Sequence, residues 1–156
     1  MQNIRASVSF LAIGILLAIY TFIFVDNTHN FMLNFGWETN LIEAKWLMLL
    51  IAGMGVALAL FYYFFADNMY SNTLIHTHVV FYFLLALILV LWDNNSFSLQ
   101  EAVESQSYSS VREIRKDYHD IADRSNYYRG AFWLMLILQP IGLVNLLLGF
   151  LKTNTK

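Results

Sequence analysis

The sequence predicts an all-α integral membrane protein with four transmembrane helices and one amphipathic extramembrane helix between helices 3 and 4. Three observations lead to this fold class. The 156-residue chain is 58% hydrophobic and only 13% charged, whereas a soluble domain carries roughly 25% charged residues. Four apolar runs are long enough to cross a bilayer as helices, for which about 20 residues suffice. A polar stretch after the third run repeats apolar residues at helical intervals.

The four apolar runs define the spans of a single domain that covers residues 1–156. Backbone amides in lipid must find partners within the protein, so these runs are predicted as helices rather than open strands. The first run follows Arg5 and lacks a small-residue cleavage site, which favours an uncleaved span over a signal peptide. We place the spans at about 8–25, 41–66, 72–92 and 131–151.

An even number of spans puts both termini and the turn at 68–73 on one side of the membrane, here called side A. The connections 27–45 and 93–130 then lie on the opposite side, side B. All four tryptophans fall on side B or at its boundary, as in an interfacial aromatic belt. Lysine and arginine are more numerous on side B, which favours side B as the cytoplasmic side.

Histidines are the natural candidates for haem or metal ligands in this chain. His76 and His78 are two residues apart at the start of the third span, so they point about 200° apart and cannot face one ligand together. His29 and His119 lie in side-B loops. We expect all four to hydrogen-bond or titrate at the interface and in loops; a metal held by His29 and His119 with loop carboxylates is the alternative.

The interior of the spans predicts helix packing rather than transport or catalysis. No ionisable residue lies in the middle third of any span, which argues against a pump or transporter acting alone. The few polar residues within the spans are expected to hydrogen-bond between helices, with a substrate cleft as the alternative; they are Ser9, Thr21, Gln139 and Asn145. Pro140 is expected to kink the fourth span. Small residues at helical spacing predict close helix contacts. The helix-packing residues are Gly14 with Ala18, Gly53 with Ala57, Gly55 with Ala59, and Gly142 with Gly149.

The side-B stretch between the third and fourth spans predicts an amphipathic helix at about 107–128. This helix could cap the protein's own spans, dock on another subunit or lie on the lipid surface. Its apolar stripe, and the predicted docking surface for a partner, consists of Val111, Ile114, Tyr118, Ile121 and Tyr128.

Three short motifs follow one another from the second span onward. The second span ends in the aromatic run 61–63, Met69-Tyr70 lies in the turn, and Ile75-His76 opens the third span. In this order they resemble the last helices of subunit I of the haem–copper oxidases. The similarity covers residues 44–151 with gaps. It extends to 114–118, which stands where that family has a Pro-Arg-Arg-Tyr stretch.

The chain departs from the oxidase pattern at the haem ligands. In that family the helix before the aromatic run begins with a His-x-His pair that ligates both haems. The matching positions here are Ala44 and Trp46, which cannot ligate iron. The resemblance therefore implies a relative that has lost the haems. It also implies that side A is cytoplasmic, against the charge count.

These observations predict a non-catalytic accessory or structural subunit of a larger membrane protein complex, of a respiratory, oxidase-like kind. The sequence predicts no catalytic residue and no cofactor; if the chain is an enzyme, a haem- or metal-dependent oxidoreductase subunit is the expected kind. The expected partners are membrane lipid and other integral membrane subunits, in the bacterial inner (cytoplasmic) membrane. A net charge of −2 gives no sign of a nucleic-acid partner. The alternative is a homo-oligomeric pore or membrane effector regulated by its loop helix, since apolar constrictions can gate a pore.

Overall fold

A computed structural model describes residues 2–27, 29–34, 39–95 and 125–153. The elements follow in the order α1 (Gln2–Phe24), β1 (Asn30–Asn34), β2 (Thr39–Glu43), α2 (Ala44–Phe64), a 3-10 turn (Ala66–Asn68), α3 (Asn72–Asn95), α4 (125–137) and α5 (Ile141–Thr153).

The prediction of four helical stretches of membrane length is confirmed. They cover Arg5–Phe24, Ala44–Phe64, Asn72–Asn94 and Ser125–Lys152, and each is long and apolar enough to cross a membrane. The last stretch combines α4 and α5. It begins earlier than the predicted residue 131, because α4 is already helical at residue 125.

The fold is mostly helical but not all-α, because β1 and β2 form an antiparallel hairpin. The sequence predicts a side-B loop here and a second span from about 41, whereas the structure has a hairpin and α2 begins at Ala44. Phe31 of the hairpin is fully buried and stacks on Trp92 with ring centroids 4.4 Å apart. An isolated two-stranded hairpin is marginally stable, so packing against the end of α3 is what stabilises it.

Close contact between helices depends on glycine at two positions in the core. A Cβ atom on Gly14 of α1 would lie 2.8 Å from the carbonyl oxygen of Ala52 in α2. A Cβ atom on Gly55 would overlap the hydroxyl of Tyr82 in α3. The missing side chains therefore let α1, α2 and α3 approach closely.

The predicted kink at Pro140 is confirmed, since residues 138–140 form a turn between α4 and α5. Proline has no backbone N–H to continue the helical ladder. The carbonyl oxygen of Leu136 instead accepts a hydrogen bond from the backbone N–H of Gln139 at 3.1 Å. The two halves of the fourth stretch are thus separate helices.

The two ends of the helix bundle carry different parts of the chain. Ser7 near the N-terminus donates a hydrogen bond to the carbonyl oxygen of Ala59, and Gly149 in α5 lies against Asn68 in the α2–α3 turn. These contacts put both ends of the chain at one end of the bundle, the side-A end. The hairpin and the last turn of α3 meet at the opposite, side-B end.

Candidate functional site

A buried polar cluster surrounds His78 in the second turn of α3. The imidazole is fully buried, although the sequence placed it at the membrane interface. Its Nδ1 lies 2.8 Å from the hydroxyl oxygen of Tyr62 in α2. Its Nε2 lies 3.1 Å from Oε1 of Gln139, in the turn between α4 and α5. One side chain therefore ties together three parts of the chain that are distant in sequence.

The hydrogen-bond network assigns the proton on the imidazole. Nε2 of Gln139 donates to the carbonyl oxygen of Met135 at 2.8 Å, which leaves its Oε1 as the acceptor facing His78. Because that oxygen can only accept, Nε2 of His78 carries the hydrogen, and Nδ1 accepts from the Tyr62 hydroxyl. Both ring nitrogens are engaged, so neither is available to ligate a metal in this arrangement.

Side chains and backbone fill the space around this cluster. The ring of Phe10 packs edge-on against His78 and parallel to Tyr62, each at a centroid distance of 5.1 Å. On the α5 side, a Cβ atom on Gly142 would lie 3.0 Å from Cε1 and Nδ1 of His78. Packing this close leaves no room for a ligand beside the imidazole without movement of a helix.

A second polar contact joins α5 to the start of α3. The buried side chain of Asn145 accepts a hydrogen bond from the backbone N–H of Ser71 at 2.9 Å and donates to the carbonyl oxygen of the same residue at 3.0 Å. The carbonyl oxygen of Asn145 also accepts from the N–H of Tyr70 at 3.2 Å. The expected bonds between helices are therefore confirmed for Gln139 and Asn145. The prediction is wrong for Ser9 and Thr21, whose hydroxyls donate to carbonyl oxygens of their own helix, those of Arg5 and Leu17.

A third cluster lies at the side-B end, around the buried carboxylate of Asp93. The Tyr20 hydroxyl donates to Oδ2 at 3.0 Å, and Nδ1 of His29 donates to Oδ1 at 2.8 Å. A carboxylate only accepts, so Nδ1 of His29 carries a hydrogen. The cluster joins α1, the residue before the hairpin and α3. The charge on Asp93 marked the end of a span in the sequence, but gave no sign of these two partners.

Three of the four histidines lie within the described residues. His76 is exposed while His78 is buried, as their spacing predicted. His29 lies against Asp93, and His119 is outside the described residues. Within the part of the chain that the structure describes, no three His, Cys, Asp or Glu side chains come together as a metal site. A site formed by His29 and His119 stays a prediction.

The predicted helix-packing residues divide into buried and exposed groups. Gly14, Gly55 and Ala59 are buried between helices, and Ala18 is half-buried. Gly142 and Gly149 are buried on one face of α5. Gly53 and Ala57 are exposed on the outer face of α2, and no atom lies within 4 Å of a Cβ placed on Gly53. These last two residues have no packing role among the residues that the structure describes.

The predicted docking stripe lies largely outside the described residues, since Val111, Ile114, Tyr118 and Ile121 fall within 96–124. Tyr128 is described, and it lies in α4, half-buried against the core. Sequence reasoning missed Tyr62 and Tyr82 as polar partners. Their only sequence signal was a hydroxyl placed within an otherwise apolar run, which many membrane helices contain.

No family model, no curated protein and no solved structure matches this chain. The resemblance to the haem–copper oxidases therefore stays a prediction.

Proposed function

We propose that the chain is a non-catalytic accessory subunit of a larger integral membrane complex in the bacterial inner membrane. The observation that carries this proposal is the internal pairing of the polar side chains. His78 and Gln139 hydrogen-bond to each other, Asn145 bonds to Ser71, and Thr21 donates to the carbonyl oxygen of Leu17 at 2.7 Å. The bonds of Gln139 and Asn145 join parts of the chain that are 61 and 74 residues apart, whereas the bond of Thr21 lies within α1.

The same pairing holds throughout the described residues, where no buried side-chain nitrogen or oxygen lacks a hydrogen-bond partner. A catalytic or transport site is expected to present polar groups toward its substrate. Here the polar groups are directed at other parts of the chain, which supports a structural role. The respiratory, oxidase-like kind of complex is inferred from the sequence resemblance.

The outer face of α2 supports a partner within the membrane. Gly53 and Ala57 lie on this face between two larger exposed residues, Leu50 and Leu60. Two small residues between large ones form a shallow notch, in which a second helix can approach the backbone closely. We therefore propose this notch as the contact with another integral membrane subunit.

The first experiment is to extract a tagged copy in mild detergent and measure its native mass together with the identity of co-purifying chains. Larger, non-identical membrane subunits at fixed stoichiometry are the expected result. A ring of identical chains would contradict the accessory role and support a homo-oligomeric pore. A lone monomer would contradict both.

A site-specific test uses the absence of cysteine from the chain. A57C places a single thiol in the notch, and L16C places one on the exposed face of α1. With a cysteine-directed photo-cross-linker in native membranes, A57C is expected to give one discrete adduct with a non-identical membrane protein. The control L16C is expected to give none. Equal yields from both positions would contradict a contact at the notch.

A further inference from the structure

The inner face of α5 is made of small and polar residues. These are Gly142, Asn145, Gly149 and Lys152, at intervals of three and four. Gly142 covers His78, Asn145 binds Ser71, and Gly149 lies against the carbonyl of Asn68. Lys152 places its ammonium group 5.2 Å from the ring centre of Tyr70. All four residues thus face the α2–α3 turn and the start of α3.

Few apolar side chains of α5 are buried in the bundle. Leu146 is buried and Ile141 is half-buried, whereas Leu143, Leu147 and Leu151 are exposed. Helices in lipid have no hydrophobic driving force between them and are held together largely by van der Waals packing, so a helix that buries few side chains is held less firmly. In contrast, α1, α2 and α3 bury large rings and aliphatic side chains against one another. We therefore expect the contacts of α5 to separate at a lower free-energy cost than the contacts among α1, α2 and α3.

A hinge stands at the start of α5. The turn at 138–140 interrupts the helix, and Pro140 cannot donate a backbone hydrogen bond. Sharp bends at proline let two halves of a helix change their relative direction. Gln139 at this hinge bonds to both Met135 and His78, so the α4 side of the turn stays attached when α5 moves.

We propose that α5 is a hinged strap that pivots at the turn 138–140 and uncovers His78 and the backbone of Tyr70 and Ser71 at the side-A end. Departure of Gly142 opens the Cε1–Nδ1 edge of the imidazole. The N–H groups of Tyr70 and Ser71 lose Asn145 as their acceptor, and they lie in a turn where water can replace it. The movement concerns this chain alone and does not depend on a partner subunit.

The test is acylation of His78 by diethyl pyrocarbonate in lipid nanodiscs, followed by mass spectrometry. The exposed His76 is on the same helix and serves as an internal reference for reagent concentration. In the native chain, His78 is expected to react slowly but measurably relative to His76. N145A removes the side-chain bonds to Ser71. In this variant, the ratio of the acylation rate of His78 to that of His76 is expected to rise about fivefold to thirtyfold.

L147A is the matched control, because Leu147 lies on the outer face of α5. Its ratio is expected to equal that of the native chain. The strap is refuted if N145A leaves His78 as protected as in the native chain, or if L147A raises the ratio as much as N145A does.

A distance measurement separates movement of α5 from loosening of the whole fold. A first pair of spin labels, at Leu151 and Tyr63, measures the distance from α5 to α2. A second pair, at Ile137 and Leu50, measures the distance from α4 to α2. All four positions are exposed. N145A is expected to add a longer distance to the first pair and leave the second unchanged. A change in both pairs, or in neither, would overturn the proposal.

Discussion

G55A tests the helix packing, and G53A is its matched control. The two glycines are two residues apart in α2, and both would gain one methyl group. A Cβ atom on Gly55 would overlap the Tyr82 hydroxyl and lie 2.9 Å from Cζ of that ring and 3.0 Å from the carbonyl oxygen of Phe10. A Cβ atom on Gly53 would meet nothing within 4 Å.

The expected difference between the two variants follows from these contacts. Adding a methyl group to a filled core costs about 1–3 kcal/mol in unfolding free energy. Displacing the Tyr82 hydroxyl also weakens its 2.8 Å hydrogen bond to the carbonyl oxygen of Ile51, which is worth about 1 kcal/mol. The gain in helix propensity from glycine to alanine is the same at both positions and cancels. G55A should therefore be about 2–4 kcal/mol less stable than G53A.

The assay is reversible unfolding in mixed micelles with increasing denaturing detergent, followed by circular dichroism. Y82F provides a further check, because removing the hydroxyl relieves the closest overlap and should reduce the cost of G55A. The contact to the ring carbon and to Phe10 persists, so the recovery should be partial. Equal stability of G55A and G53A, or an unchanged cost of G55A in the Y82F background, would contradict close packing at Gly55.

Three other substitutions test the clusters. Y62F removes the donor to Nδ1 of His78 and should cost about 1–3 kcal/mol; an unchanged nitrogen NMR shift of that imidazole would contradict the hydrogen bond. D93A removes both carboxylate oxygens, so the Tyr20 hydroxyl and Nδ1 of His29 lose their acceptor. Its melting temperature should fall, and an unaltered value would contradict the cluster. F31A removes the buried ring from Trp92 and should cost about 3–5 kcal/mol. Hydrogen exchange should then speed up in the hairpin amides, and equal acceleration across α1 would contradict a local effect.

The helical part of the fold was predictable because a long apolar run in lipid has few other ways to satisfy its backbone hydrogen bonds. The lengths of the apolar runs predicted the four membrane-length stretches. The missing backbone N–H of Pro140 predicted the break between α4 and α5. The hairpin was not predicted, although Gly36 between two short apolar runs is a known hairpin signal. Its stability depends on Trp92, far along the chain, which a local pattern does not reveal.

The site was harder to predict because it depends on which face of each helix turns inward. The spacing of His76 and His78 correctly placed them on different faces, but did not say which face was buried. The apolar residues of α3 are spread over all its sides, so its sequence pattern does not indicate which side faces the bundle. Gln139 lies 61 residues from His78 in the chain, and only the folded arrangement brings the two side chains together.

The contact between His29 and Asp93 has a consequence for synthesis of the chain. The two residues are 64 positions apart, and Phe31 likewise requires Trp92 at the end of the third span. A ribosome that adds about 5–20 residues per second needs about 3–13 s to make those 64 residues. During that interval the first two spans can already pack through Gly14, whereas the hairpin has no surface to dock on. The hairpin can therefore reach its native packing only after the end of the third span, with Trp92 and Asp93, has been synthesised.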